Sequence, residues 1–463
     1  MNAGFRWLVR QLRVGRLVVL ALIGCLGVGY WYAARLASDE LQATVAEADA
    51  ADPGWPLEDW RWGRLPNHEG DPGLQALRAA ATRLPEGWPE PDLINDLRSV
   101  SRDARLPAAT RARLHAALAE AESALAEARQ LAANAPAPAR VSWQAPWSID
   151  LGQIQTFRPV NYLLYYDALD RADQGDVDGA LRASRAMLHG CRAIDGTALG
   201  IGFLVRLVNC EMALSAIEAT LAWTQPADAA LVDLQSLVAA EQRAPLLTEA
   251  LRHERASLHW GFVALESGET PMSSVNYVAH GTNAVRLPAV ASAYDRLGTP
   301  MLRYVHAWLL RYCGEMYAAS RLPCTEQPAA LMQLRLMRTP RWWTVPPAAN
   351  VLAFGPELFD HSLWMQARMR CILVALAVER HRLRTGAWPQ SLDEVAPQPQ
   401  PEAGTDPFDG EPLRYRRLPD GVAIYSVGPD LKDAQGHFDQ NRRLPGTDVG
   451  VRLWDAERRA RPE

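Results

Sequence analysis

The sequence predicts a mostly α-helical protein in three parts: an N-terminal transmembrane helix, a multi-helix region of irregular, solenoid-like helical hairpins, and a small C-terminal α+β module. Three observations carry this expectation. Residues 17–34, LVVLALIGCLGVGYWYAA, contain no charge over 18 positions. Residues 157–340 alternate helix-forming stretches with proline-punctuated breaks and hold no convincing series of alternating strands. After Arg384 the pattern changes to short alternating runs set among glycine and proline. The boundaries that follow are a basic tail at 1–16, the apolar segment at 17–34, a linker and long helix at 35–150, an all-helical domain at 151–340 and the module at 358–463.

The apolar segment comes first. Its length is at the short end of what crosses a hydrocarbon core. Arg6, Arg10, Arg13 and Arg16 precede it and only Arg35 directly follows, after which Asp39, Glu40, Glu47, Asp49 and Asp52 are all acidic. Positive charge stays on the cytoplasmic side. The sequence therefore places the N-terminus in the cytoplasm and the bulk of the chain in the periplasm of a bacterial-type inner membrane, held by a signal-anchor at 17–34. Tyr30, Trp31 and Tyr32 sit at the exit end, where amphipathic rings prefer the headgroup layer. A cleaved signal peptide would need a small-x-small site, and no clean one precedes Ser38. A buried core helix would leave the one-sided arginines unexplained.

Residues 36–50 read as a continuation of that helix. Residues 52–89 hold Trp55, Trp60, Trp62 and Trp88 among Pro53, Pro56, Pro66 and Pro89, which suits irregular structure plugged onto a helical surface. The stretch 110–133 is rich in Ala, Glu and Leu and strongly helical. Pro136, Pro138 and Pro146 then break it. Residues 161–174 and 176–189 form a predicted hairpin with Asp176 capping the second helix. Its GDVDGA turn resembles that inside tetratricopeptide-like hairpins, although no 34-residue period recurs. Further helices are expected at 198–223, 227–242, 246–265, 299–319 and 327–338. A punctuated stretch at 341–356 precedes a long amphipathic helix at 363–384.

The C-terminal module has the clearest signals. RTGAWPQSLDEV is a turn followed by a short helix, with Ser391 and Glu394 at capping-box spacing. DPFDG at 406–410 is a compact turn. PLRYRRL and GVAIYSV are two strands around Pro419-Asp420-Gly421, and VGVRLW at 449–454 returns to the sheet edge. A fragment from about residue 358 is expected to keep its sheet, because the long helix covers it.

ALAVERHRLRTGAWPQSLDEV, DPFDGEPLRYRR, IYSVGPDLKD and TDVGVRL, in that order, resemble the C-terminal region of the type II secretion major pseudopilin and pseudopilin-like tails of uncharacterised envelope proteins. The resemblance covers about 80 residues of the chain. It implies a long helix packed on a small antiparallel sheet. It also implies a calcium loop, in which Asp430, Asp433 and Asp448 with backbone carbonyls supply hard oxygen ligands. The chain departs from the family at Leu431 and at Ala434-Gln435-Gly436, with Asp439 placed to compensate. The competing reading is an acidic turn held by local Asx hydrogen bonds. Gly4-Phe5 stands before the membrane segment, but Val9 occupies the position of the family's glutamate, which argues against incorporation into a pseudopilus.

A net charge of −5 gives no support for a nucleic-acid partner. The six cysteines show no CxxC or metal-ligand rhythm; Cys191–Cys210 and Cys313–Cys324 are either bridges or pairs of free thiols. His253 and His259 are six apart and do not form HExxH. Ser426 has no histidine partner that the sequence can place beyond nearby His437. Asp167, Glu211 and Glu218, with Trp143, Trp147, Trp223 and Trp260, are the carboxylates and aromatics a glycan-acting cleft would use. Without a nucleophile, phosphate-loop or cofactor motif, the sequence favours a non-catalytic scaffold or binding protein with envelope-protein partners. A periplasmic cell-wall hydrolase or glycan-binding protein is the alternative.

Overall fold

A computed structural model describes residues 3–58, 68, 70–88, 90–99, 105–138, 142–145, 148–150, 152–194, 199–271, 298–336, 346–395, 401–438 and 447–459. Trp60, Trp62, Pro66, Pro89, Pro146, Trp147, Pro288, Asp439 and the stretch 341–345 lie outside them. The chain is largely helical, with an N-terminal apolar helix and a three-stranded C-terminal sheet.

Helix α1 (Ala3–Ala51) is one unbroken rod of 49 residues, about 74 Å at the helical rise. From Leu17 to Leu36 its large apolar side chains are exposed; from Ala37 onward it packs on a neighbour. It has the length and composition of one membrane pass. Helices α2 (Pro72–Arg83), α3 (Pro91–Ser99), α4 (Ala108–Glu120) and α5 (Glu122–Arg129) follow. The predicted helix at 110–133 is thus two helices with a break at Ala121. A short hairpin, β1 (Ser142–Ala145) and β2 (Ser148–Asp150), follows where proline breaks alone were expected.

Helices α6 (Gly152–Asp173) and α7 (Val177–Cys191) form the predicted hairpin. Gly175 takes the left-handed conformation its turn needs (φ 81°). The Asp176 carboxylate accepts from the Gly179 N–H at 2.9 Å, the cap expected of it. Helix α8 (Gly200–Trp223) is as long and apolar as a membrane span, but most of it is buried. It touches α6, α7, α10 and α13 and strand β5, so the helices form a bundle around it rather than an open array. A helix apolar on all sides requires such surroundings. Helices α9 (Asp228–Arg243), α10 (Leu246–Ser267), α11 (Thr299–Ser320) and α12 (Gln327–Leu336) complete this layer.

Helix α13 (Pro346–Thr385) begins well before residue 363, with Pro346 and Pro347 in its first turn, where a missing N–H costs nothing. Strands β3 (Arg414–Leu418), β4 (Gly421–Ser426) and β5 (Val449–Trp454) form an antiparallel sheet in that order. The predicted strands are all present, with β5 at an edge. Residues 392–394 form a 3₁₀ turn, and Glu394 reaches back to the Gln390 N–H rather than completing a box with Ser391. A terminal helix, α14 (Ala456–Arg459), closes the described chain.

Most buried apolar residues between Leu74 and Trp454 belong to one contiguous cluster, with Ala256 and Trp260 in a second, small one. All of 367–379 in α13 is buried, because the helix packs on β4 and β5 with one side and on α8 and α9 with another. The sheet and the bundle therefore share a core. All six cysteines are free; Cys191, Cys210, Cys313 and Cys371 are buried, and the Cys191 and Cys210 thiols are hydrogen-bond neighbours.

Candidate functional site

A cleft of about 1450 Å³ lies between α6, α8, α13 and the sheet. Helical spacing builds its walls. Leu204, Val208, Glu211, Ser215 and Glu218 recur at three- and four-residue steps along one face of α8, and His361, Trp364 and Arg368 do so on α13. Tyr162, Tyr165 and Tyr166 of α6 add an aromatic wall. Arg416, residues 434–438 and Arg452 with Trp454 line the sheet side.

Arg368 lies at the floor, 2 % exposed. Its Nη2 donates to Glu218 at 2.8 Å, its Nε lies 3.4 Å from Glu211, and its Nη1 donates to the Gly450 carbonyl at 2.6 Å. One guanidinium thus ties α8 to α13 and to β5. Ser215 Oγ donates to Glu211 Oε1 at 3.1 Å. The structure brings together two of the three carboxylates named from the sequence. Asp167 is elsewhere: Arg129 holds it with bonds of 3.1 and 2.7 Å and Arg171 with one of 2.8 Å, joining α5 to α6. Trp223 lines the cleft, whereas Trp260 does not. Arg368, the residue that organises the site, has no motif and was not singled out from sequence.

In the acidic loop Asp430 and Asp433 lie near enough to Asp448 for their charges to act on it, and each of the three accepts backbone hydrogen bonds. Asp448 accepts from the N–H groups of Ala434 at 3.1 Å and Gly436 at 2.6 Å. Asp433 accepts from Gln435 at 2.7 Å, and Asp430 from Lys432 at 3.2 Å. The Asp433 and Asp430 bonds are local ones of the kind the competing reading expects, whereas those of Asp448 join parts of the loop 14 and 12 residues apart. Burial pushes the Asp448 carboxyl above the usual range against the pull of its two N–H donors. Among the described residues no group of three or more His, Cys, Asp or Glu is placed to hold a metal. A carboxylate oxygen that accepts an N–H can still coordinate a cation, so a calcium titration decides between the two readings: a rise in melting temperature that Asp430→Ala abolishes supports the calcium loop, and no shift at millimolar calcium leaves an ordinary acidic turn. Asp448→Ala should lower stability by about 1–3 kcal/mol by stripping two N–H groups of their acceptor.

Ser426 is buried and donates to Asp406 at 2.8 Å rather than to a histidine. Asp406 also accepts from the Val427 N–H at 2.9 Å, the Phe408 N–H at 3.0 Å and Arg414 at 2.9 Å. The DPFDG turn is therefore the hub of the module's loops. Burial raises the Asp406 carboxyl despite these donors.

A second polar cluster lies along the packed half of α1 and at its C-terminal end. Asp52 takes paired bonds of 2.9 Å from Arg252 and a further one from Arg255. The Arg255 guanidinium lies between the rings of Trp55 and Tyr317, 5.0 and 4.9 Å from their centroids. His259 contacts His306 at 3.0 Å, and His306 contacts Glu266 at 2.8 Å. His259 is thus an interface residue, partnered by a histidine that sequence spacing could not connect to it.

No protein-family model, curated protein or solved structure matches the chain.

Proposed function

We propose that the chain is a membrane-anchored protein of the bacterial cell envelope, with its N-terminus cytoplasmic and its bundle and sheet periplasmic, and that it works by binding partners rather than by chemistry. The observation that supports this reading is α1, exposed and apolar through Leu36 and then packed into the body without a break. A rod continuous across that point fixes the body rigidly at the membrane surface. The pseudopilin-like character of residues 358–463 is part of the same proposal, since that family acts by assembly. A reporter that matures only in the periplasm, fused after Glu463, is expected to be active. Activity of a cytoplasm-only reporter at that position would overturn the topology. Crosslinking in intact cells should recover envelope proteins.

The cleft favours a second reading, a wall-acting hydrolase or glycan-binding protein, because it places Glu211 and Glu218 beside aromatic walls. If that reading holds, the purified protein turns over wall-derived glycan and Glu218→Gln lowers the rate by about 10²–10⁴-fold, the usual share of an acid or base. Absence of turnover removes it.

A further inference from the structure

Contacts along α1 fix how deep the body sits, given the reading that residues 17–34 cross a bilayer. Asp52 meets Arg252 at 2.9 Å, whereas Arg303 reaches Ser38 at 2.6 Å and Glu266 at 3.3 Å. Fourteen residues separate Asp52 from Ser38, and fourteen separate Arg252 from Glu266, about 21 Å on each helix. Helix α10 therefore climbs towards the membrane alongside α1. Helix α11 runs the opposite way, parallel to α1, since Arg303 meets Ser38 and Arg311 meets Glu47 at 3.3 Å.

Both helices thus have one end near Ser38. Helix α10 ends one residue past Glu266, where Gly268 caps it in the left-handed conformation. Helix α11 starts at Thr299, four residues before Arg303, and so about 6 Å nearer the bilayer, level with residue 34 of α1. The headgroup layer on each side of the hydrocarbon is about 5–7 Å thick. With the apolar run ending at residues 34–36, that layer spans roughly residues 35–40 of α1. Ser267 at the end of α10 falls inside it, and Thr299 at the start of α11 reaches its hydrocarbon edge. A helix tilt of about 20° would shift a neighbour some 10 Å away by only about 3–4 Å.

The side chains at that level suit such a place. Tyr304, one residue past Arg303, is 43 % exposed, and Val263, three residues before Glu266 and so about 4.5 Å farther out at the layer's outer edge, is 39 % exposed, on the adjoining helix. The charges around them are mostly paired: Arg303 with Glu266, Arg311 with Glu40, Arg35 with Asp39, leaving Glu269 exposed beyond the cap. We propose that the α10–α11 end of the body is a lipid-contact surface, seated in the headgroup layer with Tyr304 and Val263 against phospholipid. Tyrosine, apolar along its ring and polar at its tip, is a common residue of that layer.

The test uses the full chain in vesicles of phosphatidylethanolamine and phosphatidylglycerol. A fluorescent amino acid is placed in turn at Tyr304, Val263, Leu26 and Leu322, each variant being checked for unchanged circular dichroism. Leu322 lies nineteen residues beyond Arg303, at the far end of α11, roughly 28 Å from the bilayer side. Lipids brominated close to the headgroup should quench positions 304 and 263 of most of their emission. Lipids brominated deep in the chain should quench position 26, and neither lipid should quench 322. Unquenched emission at 304 alongside quenching at 26 would overturn the proposal and leave the anchor standing. Unquenched emission at 26 as well would remove the anchor and the proposal together. Equal quenching at 322 and 304 would also overturn it, since the contact would then not be confined to this end.

Discussion

Replacing Glu379 by alanine is expected to destabilise the protein by about 3–5 kcal/mol, the usual loss when one partner of a buried ion pair is removed. Glu379 has no exposed surface. Its oxygens accept from Arg459 Nη1 and Nη2 at 2.8 and 2.9 Å, and from Arg382 Nη2 and Nε at 2.7 and 3.2 Å. Arg459 also donates to the carbonyls of Trp454 and Thr224, tying the chain end to β5 and to the end of α8. Without the carboxylate a buried guanidinium has no counter-charge. Denaturant midpoints measure the loss, and a companion Arg459→Met change in the same chain should recover part of it by removing the stranded charge. The pair Arg185–Asp233, well exposed on both sides, serves as the control and should contribute less than about 1 kcal/mol.

The same carboxylate sets a pH dependence. Burial alone would raise the Glu379 carboxyl, but bonds and charge from Arg459 and Arg382 outweigh it and hold the group below its usual value of 4.5. A group depressed in the folded state stabilises above its unfolded value and loses that contribution as pH falls through the folded one. The Glu379 share of stability should therefore be complete above about pH 5 and disappear below 4.5, and the Glu379→Ala chain should lack that acid limb.

These charges also mark where sequence reading fails. An uncharged run with arginines on one side identifies α1 because lipid tolerates little else. Asp176 after a glycine, and three alternating runs separated by turn residues, are similarly local signals. Arg368 and Glu379 carry no such local signal. Both are core residues, because their partners Glu218 and Arg459 lie 150 and 80 positions away. Glu211 and Glu218 could be named as acids on a helix near aromatics, but only Arg368 arriving from α13 makes them one site. Nothing within a few residues of Asp167 distinguished it from them. The acidic loop is legible in the same partial way: three aspartates on one loop can be read from sequence, whereas the backbone N–H groups they accept from depend on how the loop closes.

The largest effect is expected from cutting the chain before the module. A fragment of residues 358–463 should lose its strand signal in circular dichroism, contrary to what the long helix suggests when read alone. One side of α13 does cover the sheet: Cys371 donates to the Val449 carbonyl at 3.4 Å and Arg368 to Gly450. Another side faces α9, where Gln366 donates to the Gln242 carbonyl at 3.0 Å, Gln235 donates to the Leu373 carbonyl at 3.4 Å, and Arg380 reaches Asp228 at 2.8 Å and Gln235 at 2.9 Å. Positions 366, 373 and 380 are seven apart, which keeps that contact on one stripe. In the fragment this stripe and its apolar neighbours would face water, at about 1.5–3 kcal/mol for each large side chain uncovered. A unit of about a hundred residues has about 5–15 kcal/mol in reserve, so a handful of such exposures exceeds it. Arg368 would also lose Glu211 and Glu218, and Arg459 would lose the Thr224 carbonyl. The fragment is expected to be unfolded or aggregated, and co-expression with residues 1–357 should restore the sheet if the two pieces reassemble. A well-dispersed amide spectrum from the isolated fragment, with the β4–β5 pairing intact, would show that the sheet needs only α13.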